Sequence, residues 1–169
     1  VLVAQGNYIE NLVLEKEIVL TSHAIYDDLG SDWTSNDHVA NTRIMGGSPT
    51  NSKKGSCIQV SYGNIQPTIM GFTVSNGVGT SMIVDDCGVS RTERSGGAIM
   101  AFQAYPILSH NRFMNNGVSM FDEDNAAQAI QNGGAITLYD DDDVEFDEDR
   151  NNSGRNTTSS REVPDTWNV

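Results

Sequence analysis

The sequence predicts an all-β chain built as a parallel β-helix, a solenoid whose turns stack on one another and carry loop insertions, and three observations lead there. First, Gly133-Gly134-Ala135-Ile136 repeats Gly96-Gly97-Ala98-Ile99, and an earlier version begins at Gly55-Ser56-Cys57-Ile58, so the starts fall 41 and then 37 residues apart. The residues after each start repeat as well: Pro67, Ile69, Phe72 and Asn76-Gly77 correspond to Pro106-Ile107, Phe113 and Asn116-Gly117. Periods of this size mark units that bury their apolar faces only against neighbouring copies. Second, short β-rich segments alternate with Gly, Asn and Ser clusters. Third, helical periodicity is nearly missing.

The segments read in chain order as strands at Val1 to Ala4, Tyr8 to Leu14, Glu17 to Thr21, Thr42 to Met45, Cys57 to Val60, Thr68 to Val74, Ala98 to Phe102 and Ala135 to Tyr139. Apolar residues recur at alternate positions, as in Leu12-Leu14, Ile18-Leu20 and Ile58-Val60, the period of a half-buried strand. Ile58, Ile99, Ile136 and Phe113 are thereby assigned to one continuous core. The Asn-Gly pairs at Asn76, Asn116 and Asn132 suit tight corners, where Asn tolerates the left-handed region, and stacking aligns Asn on Asn. A single helix is expected, Asp124 to Gln131, capped by Asp124 and stopped by Gly133. A β-sandwich also uses many short strands, but it does not require the same signals to return at near-constant spacing.

Composition bounds the chain further. Its 169 residues, 37% of them hydrophobic, suffice for one domain over residues 1–169, or a fragment of a longer one. The net charge of -13 excludes a phosphate-backbone partner, because nucleic-acid binding requires clustered Lys and Arg, and it disfavours anionic membranes. No apolar run approaches a membrane-spanning length. The opening Val1, with neither an initiator Met nor a signal-like leader, reads as a processed or excerpted chain whose first strand edge awaits flanking sequence or a neighbouring subunit. Cys57 and Cys87 form either one bridge or two buried small hydrophobes. Sequons at Asn151 and Asn156 carry meaning only in a eukaryotic secretory protein.

Gly-Gly-Ala-Ile twice, with Phe113-Met114-Asn115-Asn116, resembles the repeats of chlamydial-type polymorphic outer-membrane proteins. The stretch Pro67 to Gly77 and the opening Gly6 to Leu12 resemble secreted right-handed β-helix proteins of the pectate-lyase-like superfamily. Together these motifs reach over roughly residues 1–154. The resemblance implies a right-handed coil and an extracellular or cell-surface location. It implies no activity, since that superfamily holds lyases, hydrolases, adhesins and stalks, and function must come from a site. Residues 140–169 form an acidic, decaying last repeat and irregular tail, with Asp143-Val144 and Arg150 where the previous copy has Pro106-Ile107 and Phe113.

Candidate sites are assigned from residue chemistry. The stretch 27–43 interrupts the early coils, and Trp33 beside Asp32 and His38 supplies the stacking surface and polar groups of a carbohydrate contact, or else plugs the solenoid's side. Eight of the ten residues from Asp140 to Asp149 are acidic, so Asp140, Asp141, Asp142 and Asp143 are candidate Ca²⁺ ligands, against the alternative of a solvated acidic surface. Asp85 and Asp122 join them, because Ser81 to Asp86 matches Ser119 to Asp124 as a pair of acidic loops on adjacent coils. His23, His38 and His110 lack metal-ligand spacing and read as surface or turn histidines.

Catalytic signatures are missing. The polygalacturonase set needs Asn-Thr-Asp, Asp-Asp, Gly-His-Gly and Arg-Ile-Lys in order; Asp-Asp occurs, but Gly-His-Gly and Arg-Ile-Lys do not. The Arg-x-Pro-x-x-Arg pattern of pectate lyases is missing too. The sequence therefore predicts a surface scaffold or adhesin that contacts carbohydrate or a surface protein through its insertions, with a polysaccharide lyase or glycoside hydrolase acting on an acidic polysaccharide as the alternative.

Overall fold

The computed structural model describes residues 1–49, 51–61, 63–86, 89–118, 130–131, 135–139 and 144–145. These residues are mostly strand, with one short α-helix and three single turns of 3₁₀-helix. The strands are β1 (Leu2–Val3), β2 (Gly6–Ile9), β3 (Leu12–Leu14), β4 (Val19–Ser22), β5 (Thr42–Met45), β6 (Ile58–Ser61), β7 (Thr68–Met70) and β8 (Thr73–Ser75). They continue as β9 (Thr80–Asp86), β10 (Val89–Ser95), β11 (Ile99–Phe102), β12 (Ile107–Ser109), β13 (Arg112–Met114), β14 (Ile130–Gln131), β15 (Ile136–Tyr139) and β16 (Val144–Glu145).

Three open, all-parallel, four-stranded sheets organise the chain: sheet A in the order β1-β4-β7-β12, sheet B as β2-β5-β8-β13 and sheet C as β3-β6-β11-β15. The chain visits A, B and C in turn and then begins again, so one visit to all three is a rung and each rung pairs with the next. Parallel pairing of this kind requires long connections, which the intervening sheets themselves provide.

Register aligns like with like. Leu12, Ile58, Ile99 and Ile136 form one ladder in sheet C, and Tyr8, Ile44, Val74 and Phe113 form another in sheet B. Ile58 and Ile99 are fully buried, while Ile136 and Phe113 are partly buried against the same core cluster, as the repeat predicts. Each fully buried aliphatic contributes about 1.5–3 kcal/mol relative to exposure. In β11 the alternate residues Met100 and Phe102 are buried as well, outside that cluster, so this strand is apolar on both faces, whereas its register partners in β6 at those positions are Gln59 and Ser61.

The corners explain why two segments expected as single strands are each divided. Tyr8 to Leu14 breaks into β2 and β3, and Thr68 to Val74 breaks into β7 and β8 at Gly71. Gly71 has φ +79°, and a Cβ there would lie 2.6 Å from Ser22 Oγ and 2.9 Å from Ala24 Cβ, so both conformation and space select glycine. One rung on, His110 holds the same corner with φ +50°. Asn76 (φ +63°) and Asn115 (φ +54°) stack likewise, so the left-handed residue of that corner is Asn115 rather than the expected Asn116.

Asn116 performs a different task, shared with Asn11 and Asn111. Each carboxamide accepts one backbone N–H and donates to one backbone carbonyl of the adjoining rung. Asn111 takes Phe72 N at 3.0 Å and gives to Ile69 O at 2.7 Å; Asn116 takes Gly77 N at 3.0 Å and gives to Val74 O at 2.9 Å. Asn11 takes Gly47 N at 3.1 Å and gives to Ser56 O at 2.8 Å. Corner groups that no strand ladder reaches are satisfied this way.

Between sheets B and C of the third rung stands a hairpin, β9 antiparallel to β10, flanked by β14 parallel to β10 and β16 antiparallel to β9. Two expectations are corrected by it. Residues 81–86, expected as an acidic loop, are strand; Ile130 and Gln131, expected at the end of a helix, are strand. Pairing along seven register positions stabilises β10 although Arg91-Thr92-Glu93-Arg94 is polar. Arg94 is fully buried, donating Nη1 to Gly79 O at 2.8 Å. Cys57 is a buried free thiol that donates to Ser75 O at 3.1 Å, and burial raises its pKa to about 11, so it behaves as a small hydrophobe. Cys87 lies outside the described residues, as do both sequons. No helix is long and apolar enough to cross a membrane, among the described residues.

Candidate functional site

The insertion between β4 and β5 occupies 23–41, starting four residues earlier than the sequence suggests and ending before Thr42 opens β5. It is built from three single turns. His23–Tyr26 is a 3₁₀ turn whose Ala24 N is capped by Ser22 Oγ at 3.1 Å, and Trp33–Ser35 is a second. The helix α1 (Asp37–Asn41) comes next, with Asn36 Oδ1 accepting from Val39 N at 3.1 Å. Ala24 and Val39 are fully buried and pin the insertion to the sheets, and Thr73 Oγ1 donates to the Val39 carbonyl at 2.8 Å.

Asp27 ties the turns together. Its Oδ2 accepts from Asn36 Nδ2 at 2.8 Å and lies 2.6 Å from His38 Nδ1. The bond from His38, and next that from Asn36, hold the Asp27 carboxyl below its ordinary value, with partial burial opposing them. The His23 ring sits 5.8 Å from that of His38 and 6.2 Å, nearly edge-on, from Tyr26, which is 74% exposed. On the neighbouring stretch Trp33 meets His110 of the fourth rung edge-to-face, with ring centroids 5.4 Å apart at 89°. The insertion thus leans along the A–B corner from the second rung to the fourth, and all three histidines of the chain converge on it.

Of the expected carbohydrate set, Trp33 is half-buried against His110, His38 is held by Asp27, and Asp32 is exposed before the second 3₁₀ turn, which its side chain does not cap. Trp33 and His38 therefore sit in two adjoining groups, Trp33 with His110 and His38 with His23 and Asp27, while the Asp32 carboxylate joins neither. Sequence reasoning passed over Asp27 and Tyr26 as site residues and read His23 and His110 as surface or turn histidines. Their only sequence-level signal is that His23 and Asp27 bracket the first turn of an interrupting segment; His110 is far along the chain, and only the register brings it close.

Among the candidate Ca²⁺ ligands, Asp140, Asp141, Asp142, Asp143 and Asp122 lie outside the described residues. Asp85 lies on β9 opposite Ser90. No three His, Cys, Asp or Glu residues are grouped to hold a metal ion, among the described residues.

Chemically, the insertion offers ring faces, imidazole nitrogens and an ionised carboxylate. Asp27, with its pKa lowered and its oxygen occupied by two donors, is poorly suited to be a general acid, which needs a raised value near the working pH. Rings beside fixed hydrogen-bonding groups suit recognition of a sugar or a protein surface. No family model, curated protein or solved structure matches this chain.

Proposed function

We propose that the three parallel sheets are the faces of a right-handed parallel β-helix, and that the protein is an extracellular scaffold or adhesin contacting carbohydrate through the insertion over 23–41, without catalysis. The observation that carries this reading is the convergence of Tyr26, Trp33, His23, His38 and His110 on one seam, fixed by the Asp27 hydrogen bonds. The turns of the insertion carry both the aromatic rings and the polar groups and are seated on rigid strands, the arrangement by which loops on a stiff scaffold bind. A long regular flank also suits an extended glycan or a neighbouring surface protein.

The test is a glycan array probed with the purified chain and with Trp33→Ala and Tyr26→Ala, alongside reducing-sugar and unsaturated-uronate assays. Binding lost in both variants, with no turnover, is the expected result. Turnover abolished by a single carboxylate substitution would instead establish the lyase or hydrolase alternative.

A further inference from the structure

The outward face of sheet B carries a ladder that the insertion does not fully cover. Asn7, Arg43, Thr73 and Arg112 are in register, one from each rung, on the side opposite Tyr8, Ile44, Val74 and Phe113. Arg43 and Arg112 therefore stand two strand spacings apart, about 9.6 Å. The position between them is occupied by the insertion, since Thr73 bonds to the Val39 carbonyl, so the two arginines flank the insertion on successive sides. Among the described residues neither guanidinium meets a carboxylate: Arg43 gives its Nε to Ala40 O at 2.9 Å, and Arg112 approaches the Met114 sulfur at 3.6 Å.

That is unusual company in a chain of 23 acidic and 10 basic residues, where diffuse negative potential repels anions from most of the surface. Two arginines at matched register stand beside an insertion that also carries Asp27, Asp28, Asp32 and Asp37, and their planar forks suit carboxylate or sulfate groups. Arg112 lies two residues beyond His110, the residue that Trp33 meets edge-to-face. A glycan lying along the stacking direction, with a sugar ring near Trp33, would bring its next charged groups past these two positions. The span between them is comparable with two linked sugar rings.

We propose that Arg43 and Arg112 make the insertion face selective for acidic over neutral glycans, engaging anionic groups borne on every second sugar. This rests on the carbohydrate-binding reading above and deepens it. The experiment measures binding of a hyaluronan oligosaccharide, which carries one carboxylate per disaccharide, and of the same oligosaccharide with its carboxylates methyl-esterified. The wild-type chain is expected to prefer the charged form, with affinity falling as salt rises. Arg43→Gln and Arg112→Gln should each weaken the charged form about fivefold and leave the ester unchanged, the scale of one exposed ion pair near 1 kcal/mol.

Circular dichroism of each variant must match the wild type, and Lys16→Gln, away from the ladder, should retain full affinity. Equal binding of the charged and esterified forms, with both lost in Trp33→Ala, would overturn the arginine assignment while leaving the carbohydrate reading intact. Binding of neither form, nor of any glycan on the array, would overturn both. Loss of binding in Lys16→Gln equal to that in the arginine variants would reduce the effect to net charge and overturn the ladder.

Discussion

The stacked rungs and the insertion over 23–41 are held by opposite means. In the rungs, Ile58 and Ile99 are each one copy of a repeated choice, and the same ladder position is filled four times by Leu12, Ile58, Ile99 and Ile136. In the insertion nothing repeats: one carboxylate, Asp27, accepts from one amide and meets one imidazole, and two small side chains, Ala24 and Val39, anchor the whole. Repetition spreads stability over many equivalent contacts, whereas a single-copy cluster concentrates specificity in a few groups. The rungs should therefore govern folding and the insertion binding.

Ile99 offers the sharpest contrast with the insertion. Ile99→Ala removes a buried side chain with ladder partners above and below, and should cost about 2–5 kcal/mol in urea unfolding, whereas Trp33→Ala should cost well under half of that while abolishing glycan binding. Equal losses of stability from the two would erase the distinction. Next is a corner. Asn111→Ala strands Phe72 N and Ile69 O, so a loss of about 1–3 kcal/mol is expected, with faster hydrogen exchange confined to the Phe72 corner. Exchange that accelerates evenly along the chain would deny that the carboxamide acts locally.

The smallest effect concerns acid. Because the folded-state pKa of Asp27 is lowered, its contribution to stability is complete above the unfolded value of about 3.9 and is lost as pH falls through the lower folded value. Trp33 fluorescence, read in a Trp167→Phe background, should separate wild type from Asp27→Asn at pH 6, and the separation should shrink below about pH 4. A difference that grows on acidification would reverse the sign and remove Asp27 as the tie.

The same contrast decides what the sequence made legible. Gly96-Gly97-Ala98-Ile99 and its copies announce β11 and β15, because stacking demands that a residue type return in register. The division of Tyr8 to Leu14 was hidden, since Glu10-Asn11 carries no glycine and the turn there depends on Asn11 reaching Gly47 and Ser56 in the next rung. The β9–β10 hairpin was hidden because Arg94 and Glu93 look like surface residues, yet both are buried by pairing partners that local pattern does not reveal. At the candidate site Trp33 and His38 were visible as residue types, but their partners His110 and Asp27 depend on where the A–B corner brings the chain.

Stacking in register is the claim on which everything else depends, and sheet B offers a direct ruler. Ile9 (71% exposed) and Met114 (42% exposed) occupy the same outward ladder position on the first and fourth rungs, with Met45 and Ser75 between them. Three strand spacings separate their backbones, about 14 Å. Nitroxides attached at Ile9→Cys and Met114→Cys, in a Cys57→Ala, Cys87→Ala background, should broaden one another's electron paramagnetic resonance spectra as a pair near that distance. Spectra that merely add, with no dipolar broadening, would mean the four rungs do not stack in this register and would contradict the account.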